Sequence, residues 1–178
     1  MKILLDTNVL VSAAELGEVI GADPETINNW IRHRIISRAP IGGRQLARHR
    51  LFTTEEVYKA ALKHELVKLR IPPSPASRAV NELWKEWDKE KTFDGKTLYA
   101  VLLPGGDSWA ASLWWKNLSG GPLYRIGKRP TSKLLEEMEL PKQAFAMIPM
   151  TDVLGDVTNK LQKLLSDTKR HKTKDARS

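Results

Sequence analysis

The side chains best suited to chemistry in this sequence are six arginines in a stretch without acidic residues. No Asp or Glu lies between Glu25 and Glu55. Arginine guanidinium groups bind phosphate oxygens in a bidentate manner, and asparagine amides can hydrogen-bond to the edges of bases. Asn28 and Asn29 lie just before the first arginine, so the stretch predicts contact with nucleic acid, with a solvated basic loop as the alternative interpretation. The arginines are Arg32, Arg34, Arg38, Arg44, Arg48 and Arg50.

The N-terminal residues LLDTNVLVSA (4–13) carry a second pattern. It resembles the first strand of PIN-domain nucleases, and the resemblance implies that Asp6 is a ligand of catalytic divalent metal ions. Such catalysis needs several carboxylates, yet residues 35–54, where a second is expected, contain none. Asp94, Asp107, Asp152 and Asp156 lie outside the later acidic motif of that family. We therefore interpret Asp6 as a turn or cap residue in an arm before Ser12, and retain a PIN-type nuclease as an alternative function.

The composition indicates a globular protein with an anionic partner. The chain has 178 residues, of which 41% are hydrophobic, and its formal net charge is +8; the usual partner of such a charge is nucleic acid. The absence of cysteine excludes disulfides, thiolate metal sites and a cysteine nucleophile. The four histidines show no metal-ligand spacing, so we expect no metal, cofactor or catalytic residue. No apolar run suits a signal peptide or a membrane span, and we expect a cytoplasmic protein without membrane contact.

Two short helices are predicted to position the asparagines and the first arginines. Ser12 and Glu15 have the spacing of a capping box, which predicts a helix from residue 13 to residue 20, ended by Gly21. Asp23 and Pro24 predict the start of a second helix that reaches residue 33 or 34. Its apolar face is Ile27, Trp30 and Ile31, and its polar face is Thr26, Asn28, Asn29, Arg32 and His33. Two short helices joined at a glycine indicate a helix-turn-helix.

The segment after this pair is predicted to form a hairpin, or wing, and two further helices. Residues 35–52 contain two short apolar pieces around Gly42 and Gly43. Thr53 and Thr54 cap a third helix of about fifteen residues, which the IPPSP stretch (71–75) must end, and a fourth helix is expected over residues 77–89. The predicted inner stripe of the third helix is Val57, Ala60, Ala61, His64, Val67 and Lys68.

From residue 97 the pattern changes to that of strands. Two strands are joined by a turn at residues 104–107, residues 122–127 and 144–150 follow as a third and a fourth, and Thr151 with Asp152 starts a closing helix. The apolar stripe of that helix, Val153 to Leu165, suits packing within the chain or a homodimer contact. The predicted fold class is α+β, with a DNA-binding domain over 1–70, a linking segment over 71–95, a small α/β domain with an antiparallel sheet over 96–168, and a disordered basic tail over 169–178.

Residues 10–70 resemble the winged helix-turn-helix of MerR-type transcription regulators. The resemblance is carried by ELGEVIGADPETINNWIRHRIISRA and by RLFTTEEV after a glycine-containing turn. It implies that Thr26, Asn28 and Arg32 face the major groove of DNA, whereas Arg50 and the neighbouring wing arginines contact the backbone. Arg34 stands where the family usually has a glycine. Trp30, by its spacing with Ile27 and Ile31, is expected in the core.

The sequence therefore predicts a bacterial-type regulator that binds double-stranded DNA sequence-specifically. The expected contact residues are Thr26, Asn28, Asn29, Arg32, His33, Arg38, Arg44, Arg48 and Arg50. A homodimer is expected if the DNA site is palindromic. An excisionase-like or packaging protein would use the same contacts and is a further alternative. The operator, the direction of regulation, any small-molecule effector and the role of residues 97–168 do not follow from the sequence.

Overall fold

The protein folds into five helices and six strands within the part of the chain that its computed structural model describes, namely residues 9–39, 50–87, 96–105, 108–117, 124–126 and 146–175. The fold class is α+β, as predicted. In chain order the elements are β1 (Leu10–Ser12), α1 (Ala13–Ile20), α2 (Pro24–Arg32), β2 (Leu51–Thr53), α3 (Thr54–Lys68), α4 (Pro73–Trp87), β3 (Lys96–Gly105), β4 (Ser108–Asn117), β5 (Tyr124–Ile126), β6 (Ala146–Pro149) and α5 (Met150–Asp175).

Side-chain caps fix the beginnings of the first two helices where the sequence predicts them. The Ser12 hydroxyl accepts a hydrogen bond from the Glu15 backbone N–H at 3.3 Å, and the Ser12 N–H donates to the Glu15 carboxylate at 2.7 Å. This reciprocal pair is the predicted capping box. Asp23 caps α2 by accepting the Thr26 N–H at 2.8 Å, and Pro24 occupies the first helical position. Both starts are thus encoded locally, by residues three apart.

A tight turn joins α1 to α2 and requires two glycines. Gly21 has a φ of 71°, in the left-handed region that favours glycine. The Ala22 N–H then donates back to the Gly17 carbonyl at 2.9 Å. A Cβ atom on Gly17 would lie 2.9 Å from the Ala22 carbonyl oxygen. Because that distance is too short for a real contact, side chains at position 17 would push the two helices apart.

The helices α2 and α3, like α1, are each followed by a residue in the left-handed conformation, but this residue is an arginine instead of a glycine. Arg34 and Arg70 have φ values of 56° and 64°. After each, the next N–H bonds to a carbonyl five residues back, from Ile35 to Trp30 at 2.8 Å and from Ile71 to Leu66 at 3.1 Å. These are Schellman ends, in which a left-handed residue lets the chain reverse and satisfy the last carbonyls. A non-glycine residue is strained in that conformation.

The third helix has the predicted length and start, but its predicted inner stripe was wrong in part. Lys68 is exposed, and His64 and Val67 are only half-buried. Buried residues instead occur on all sides of α3, because it packs against α1, α4 and α5. The buried residues outside the predicted stripe are Thr54, Glu56, Tyr58, Leu62, Lys63 and Leu66. α3 is therefore the central helix of the fold, and a single-stripe pattern cannot describe it.

The fourth helix begins four residues before the expected position. It starts at Pro73 rather than at residue 77, within the IPPSP stretch that separates it from α3. Proline lacks an amide hydrogen, but at the start of a helix that hydrogen has no partner in any case. The buried residues Ala76, Ala79, Val80 and Leu83 then face inward at helical spacing. The prolines thus follow the left-handed end of α3 at Arg70 and open the next helix.

The C-terminal strands form one antiparallel sheet in the order β5-β4-β3-β6. The predicted pairing of the first two strands is confirmed: β3 pairs with β4 along its whole length, from Lys96 opposite Asn117 to Gly105 opposite Ser108, so that residues 104 and 105 of the predicted turn belong to β3 and residues 106 and 107 lie outside the described residues. The two short strands expected near residues 124 and 147 are also present. α4 packs on β4 and α5 packs on β3. None of the described helices is long and apolar enough to cross a membrane.

The closing helix joins the two halves of the chain through a shared core. Leu154, Val157 and Leu161 of its predicted stripe are buried in one cluster with residues of α1, α3 and α4. The Tyr58 and Thr158 hydroxyls are hydrogen-bonded at 2.9 Å, across 100 positions of sequence. The backbone of α5 remains helical to Asp175, although residues 169–178 were expected to be disordered. That segment contains no proline or glycine to end the helix.

Candidate nucleic-acid interface

The second helix presents the predicted polar face and buries the predicted apolar one. Ile27, Trp30 and Ile31 lie in the core. Trp30 also contacts the His64 ring of α3 edge to face, with the ring centres 6.0 Å apart. Burial of these residues determines which face of α2 points toward the core and which toward solvent. Of the opposite face, Asn28, Arg32 and His33 are exposed, whereas Thr26 and Asn29 are half-buried.

Asn28 connects this face to the segment that precedes β2. Its side-chain oxygen accepts a hydrogen bond from the Arg50 guanidinium. Arg50 adjoins β2, whose residues Leu51–Thr53 pair antiparallel with Leu10–Ser12 of β1. The Ala39 N–H donates to the Leu51 carbonyl at 2.8 Å. The exposed side of α2 therefore adjoins the described residues at the two ends of the 37–52 segment, 37–39 and 50–52.

Thr26 stabilises the start of α2, whether or not it also contacts a ligand. Its hydroxyl donates to the Asp23 carboxylate at 2.7 Å, in addition to the capping bond from its N–H. These two bonds, the backbone one first, lower the pKa of Asp23 below its ordinary value. The Thr26 hydroxyl proton is thus engaged, and its oxygen remains able to accept. The Asp23 carboxylate stays charged at the N-terminus of α2, where the helix dipole favours a negative charge.

The surface formed by α2 and the adjoining segment is strongly positive. The arginines 32, 34, 38 and 50 are all exposed. The sequence contains no acid between Glu25 and Glu55, and the exposed acids of α2, Asp23 and Glu25, lie at its N-terminal end, whereas Arg32 and Arg34 lie at its C-terminal end. His33 lies among them, at the end of α2. Arg44, Arg48 and the Gly42-Gly43 turn lie outside the described residues, so their predicted roles stay predictions.

A buried polar network holds the chain where it leaves α2, and the sequence analysis missed it. Lys63 of α3 donates to the Ile35 carbonyl at 2.8 Å and to the Glu56 carboxylate at 3.0 Å. The same Glu56 oxygen accepts the Ser37 N–H at 3.1 Å, and Ser77 of α4 donates to the Ile35 carbonyl at 3.1 Å. The network therefore ties residues 35–37 to α3 and α4, directly behind the exposed arginines.

Burial of this network costs free energy, which its hydrogen bonds must offset. The Lys63 side chain is only 2% exposed. Burial lowers the pKa of Lys63, and the charge of Glu56 acts in the opposite direction. A Glu and a Lys seven residues apart lie on the same face of a helix, two turns from each other. That spacing was the available signal, but charged residues on a helix are usually exposed, so it was not recognised.

The nuclease alternative gains no support from the described residues. They contain no group of three or more His, Asp or Glu side chains that could hold a metal ion. Asp6, the residue on which that alternative depends, lies outside the described residues, as do Asp94 and Asp107. Asp152 and Asp156 are exposed on α5. Comparison with known proteins finds no family model and no curated protein that matches the chain.

Proposed function

We propose that this protein binds double-stranded DNA sequence-specifically through α2 and the segment over residues 37–52, as a winged helix-turn-helix of the MerR type. The observation that carries the proposal is the Asn28–Arg50 hydrogen bond, which joins the exposed face of α2 to an acid-free, arginine-rich segment. A helix with exposed polar groups suits the major groove, and flanking arginines suit the phosphates on either side. The expected biological role is regulation of transcription.

In this proposal the elements have separate tasks. α1 and its turn set the position of α2 because Gly17 allows close approach of the chain and Gly21 allows the left-handed turn between the two helices. α2 reads bases with Asn28 and Arg32. The arginines outside α2 other than Arg50, whose partner is Asn28, contact phosphates and provide affinity that does not depend on sequence. An excisionase-like or packaging protein would bind DNA in the same way, and the position of its sites in a genome distinguishes it from a regulator.

The test is selection of binding sites from a random duplex pool by the full-length protein, in moderate salt with magnesium. Enrichment of a motif in intact DNA supports the proposal, and a palindromic motif indicates a dimer. Arg38→Ala should then weaken binding to all duplexes alike and reduce the salt dependence by about one phosphate contact. Lys163→Ala is the matched control, because it removes one exposed positive charge from α5 and should leave both quantities unchanged.

Two results would contradict the proposal. One is equal, weak binding to every duplex, which indicates a nonspecific basic surface. The other is magnesium-dependent strand cleavage without an enriched motif, abolished by Asp6→Asn, which indicates the PIN-type nuclease. Because magnesium is present throughout, a single preparation distinguishes these results from sequence-specific binding.

A further inference from the structure

The Asn28–Arg50 pair has a defined orientation because arginine can only donate hydrogen bonds. The guanidinium carries five N–H groups and no acceptor, so the Asn28 atom that faces Arg50 must be the side-chain oxygen. The Asn28 NH2 group then lies on the other side of the planar amide, away from the oxygen to which Arg50 donates. Both residues are exposed. The pair thus presents to its surroundings the donors of Asn28 together with the remaining donors of Arg50.

This orientation selects among the base edges of the major groove. An asparagine that recognises adenine uses its oxygen to accept from N6 and its NH2 to donate to N7. In this protein the guanidinium uses one of the two lone pairs of the oxygen, and its positive charge opposes the approach of the adenine amino group to the other. Guanine presents two acceptors, O6 and N7, and accepts donors alone. A pair that offers donors, and whose one remaining acceptor lone pair lies beside a positive charge, therefore matches guanine better than adenine, thymine or cytosine.

We propose that Asn28 and Arg50 act as one unit that specifies a guanine in the DNA site. This inference rests on the proposed function and adds to it the identity of a recognised base. DNA phosphates also offer paired acceptor oxygens, so the same donors could bind the backbone. The middle of the exposed face of α2 is where a recognition helix meets bases, and the proposal therefore assigns the unit to a base edge.

The experiment compares site selection by the wild-type protein, Asn28→Ala, Arg50→Ala and Asn28→Asp. We expect the wild-type motif to contain a guanine whose preference is lost in both alanine variants. In Asn28→Asp the carboxylate keeps an acceptor for Arg50 but presents a second acceptor in place of the NH2 group. Since a carboxylate accepts from cytosine N4, preference at that position should change from guanine to cytosine. Arg38→Ala, which alters an exposed arginine outside the pair, should keep the guanine.

A chemical change in the DNA separates base from phosphate contact. Replacing the selected guanine by 7-deazaguanine removes only the N7 acceptor, and we expect it to weaken wild-type binding about tenfold and binding by Asn28→Ala hardly at all. A neutral methylphosphonate at the adjoining phosphate should affect both proteins equally. Circular dichroism verifies that each variant is folded, which is expected because both side chains are exposed.

Three results would overturn the inference. An adenine that depends on Asn28 would show that its oxygen is free for a base. A second result is that Asn28→Ala loses the same affinity for every sequence and that only the wild-type protein is fully sensitive to the methylphosphonate. This result would assign the pair to a phosphate. A wild-type motif without a guanine that depends on Asn28 would overturn the inference and leave the proposed function standing. If the wild-type protein enriches no motif at all, the proposed function fails as well.

Discussion

Replacement of Lys63 by methionine should destabilise the protein far more than its charge alone suggests. The substitution keeps an unbranched side chain but removes the donor to the Ile35 carbonyl and to Glu56. After the substitution, the Ile35 carbonyl still accepts a hydrogen bond from Ser77. The Glu56 carboxylate still accepts one from the Ser37 N–H, but the Glu56 side chain is only 12% exposed. Breaking a buried ion pair usually costs about 3 to 5 kcal/mol. Because Glu56 keeps one donor and some contact with water, we expect the free energy of unfolding to fall by about 3 kcal/mol, the lower end of that range.

Urea denaturation followed by circular dichroism measures this loss, and two further variants identify its cause. Lys68→Met makes the same chemical change on the same helix, but the pair of Lys68 with Glu65 is exposed, so it should cost at most about 0.5 kcal/mol. Glu56→Gln combined with Lys63→Met removes the unpaired charge and should recover most of the loss. Similar losses for Lys63→Met and Lys68→Met, or a double variant no better than the single one, would refute the reasoning.

Two other predictions concern the end of α2 and a histidine beneath it. Arg34→Gly relieves the left-handed strain at a φ of 56° and should raise the free energy of unfolding by about 0.5 to 1 kcal/mol in urea, whereas an equal gain from Arg34→Ala would show that φ is not the cause. Burial, then the charge of Lys68, lowers the pKa of His64 from 6.5, so the unfolded chain binds the proton more readily. Stability should therefore be full above about pH 6.5 and decline below it, and His64→Gln should decline less between pH 7.5 and 5.5.

The starts of the first three helices were predictable because their signals are local. Ser12 and Asp23 each bond to an N–H three residues along the chain, so spacing alone identifies them. The strands of the C-terminal sheet were predictable for a similar reason, since alternation and turn residues determine where each strand begins and ends. Such signals do not require knowledge of what packs against the element.

Burial that depends on several elements could not be read from the sequence. Lys63 is buried because α1, α4 and α5 surround α3 and because the backbone at Ile35 supplies its acceptor. The spacing of Glu56 and Lys63 places them on one face of α3, but neither condition can be read from that spacing. For the candidate interface, both Asn28 and Arg50 were named in advance, yet their contact was not, because 22 positions separate them. Residue types can thus indicate a surface, but the orientation of its groups depends on the path of the chain.

The packing of α5 against α3 also determines the order in which the chain can complete its fold during synthesis. A ribosome releases α3 long before it makes Leu154, Thr158 and Leu161, the residues that cover one of its sides. Until then, the growing polypeptide exposes apolar helix surface of the kind that chaperones bind. A premature stop codon between residues 70 and 150 would make that exposure permanent. Such shortened products should aggregate or be degraded, even though every residue of the candidate DNA-binding surface is present in them.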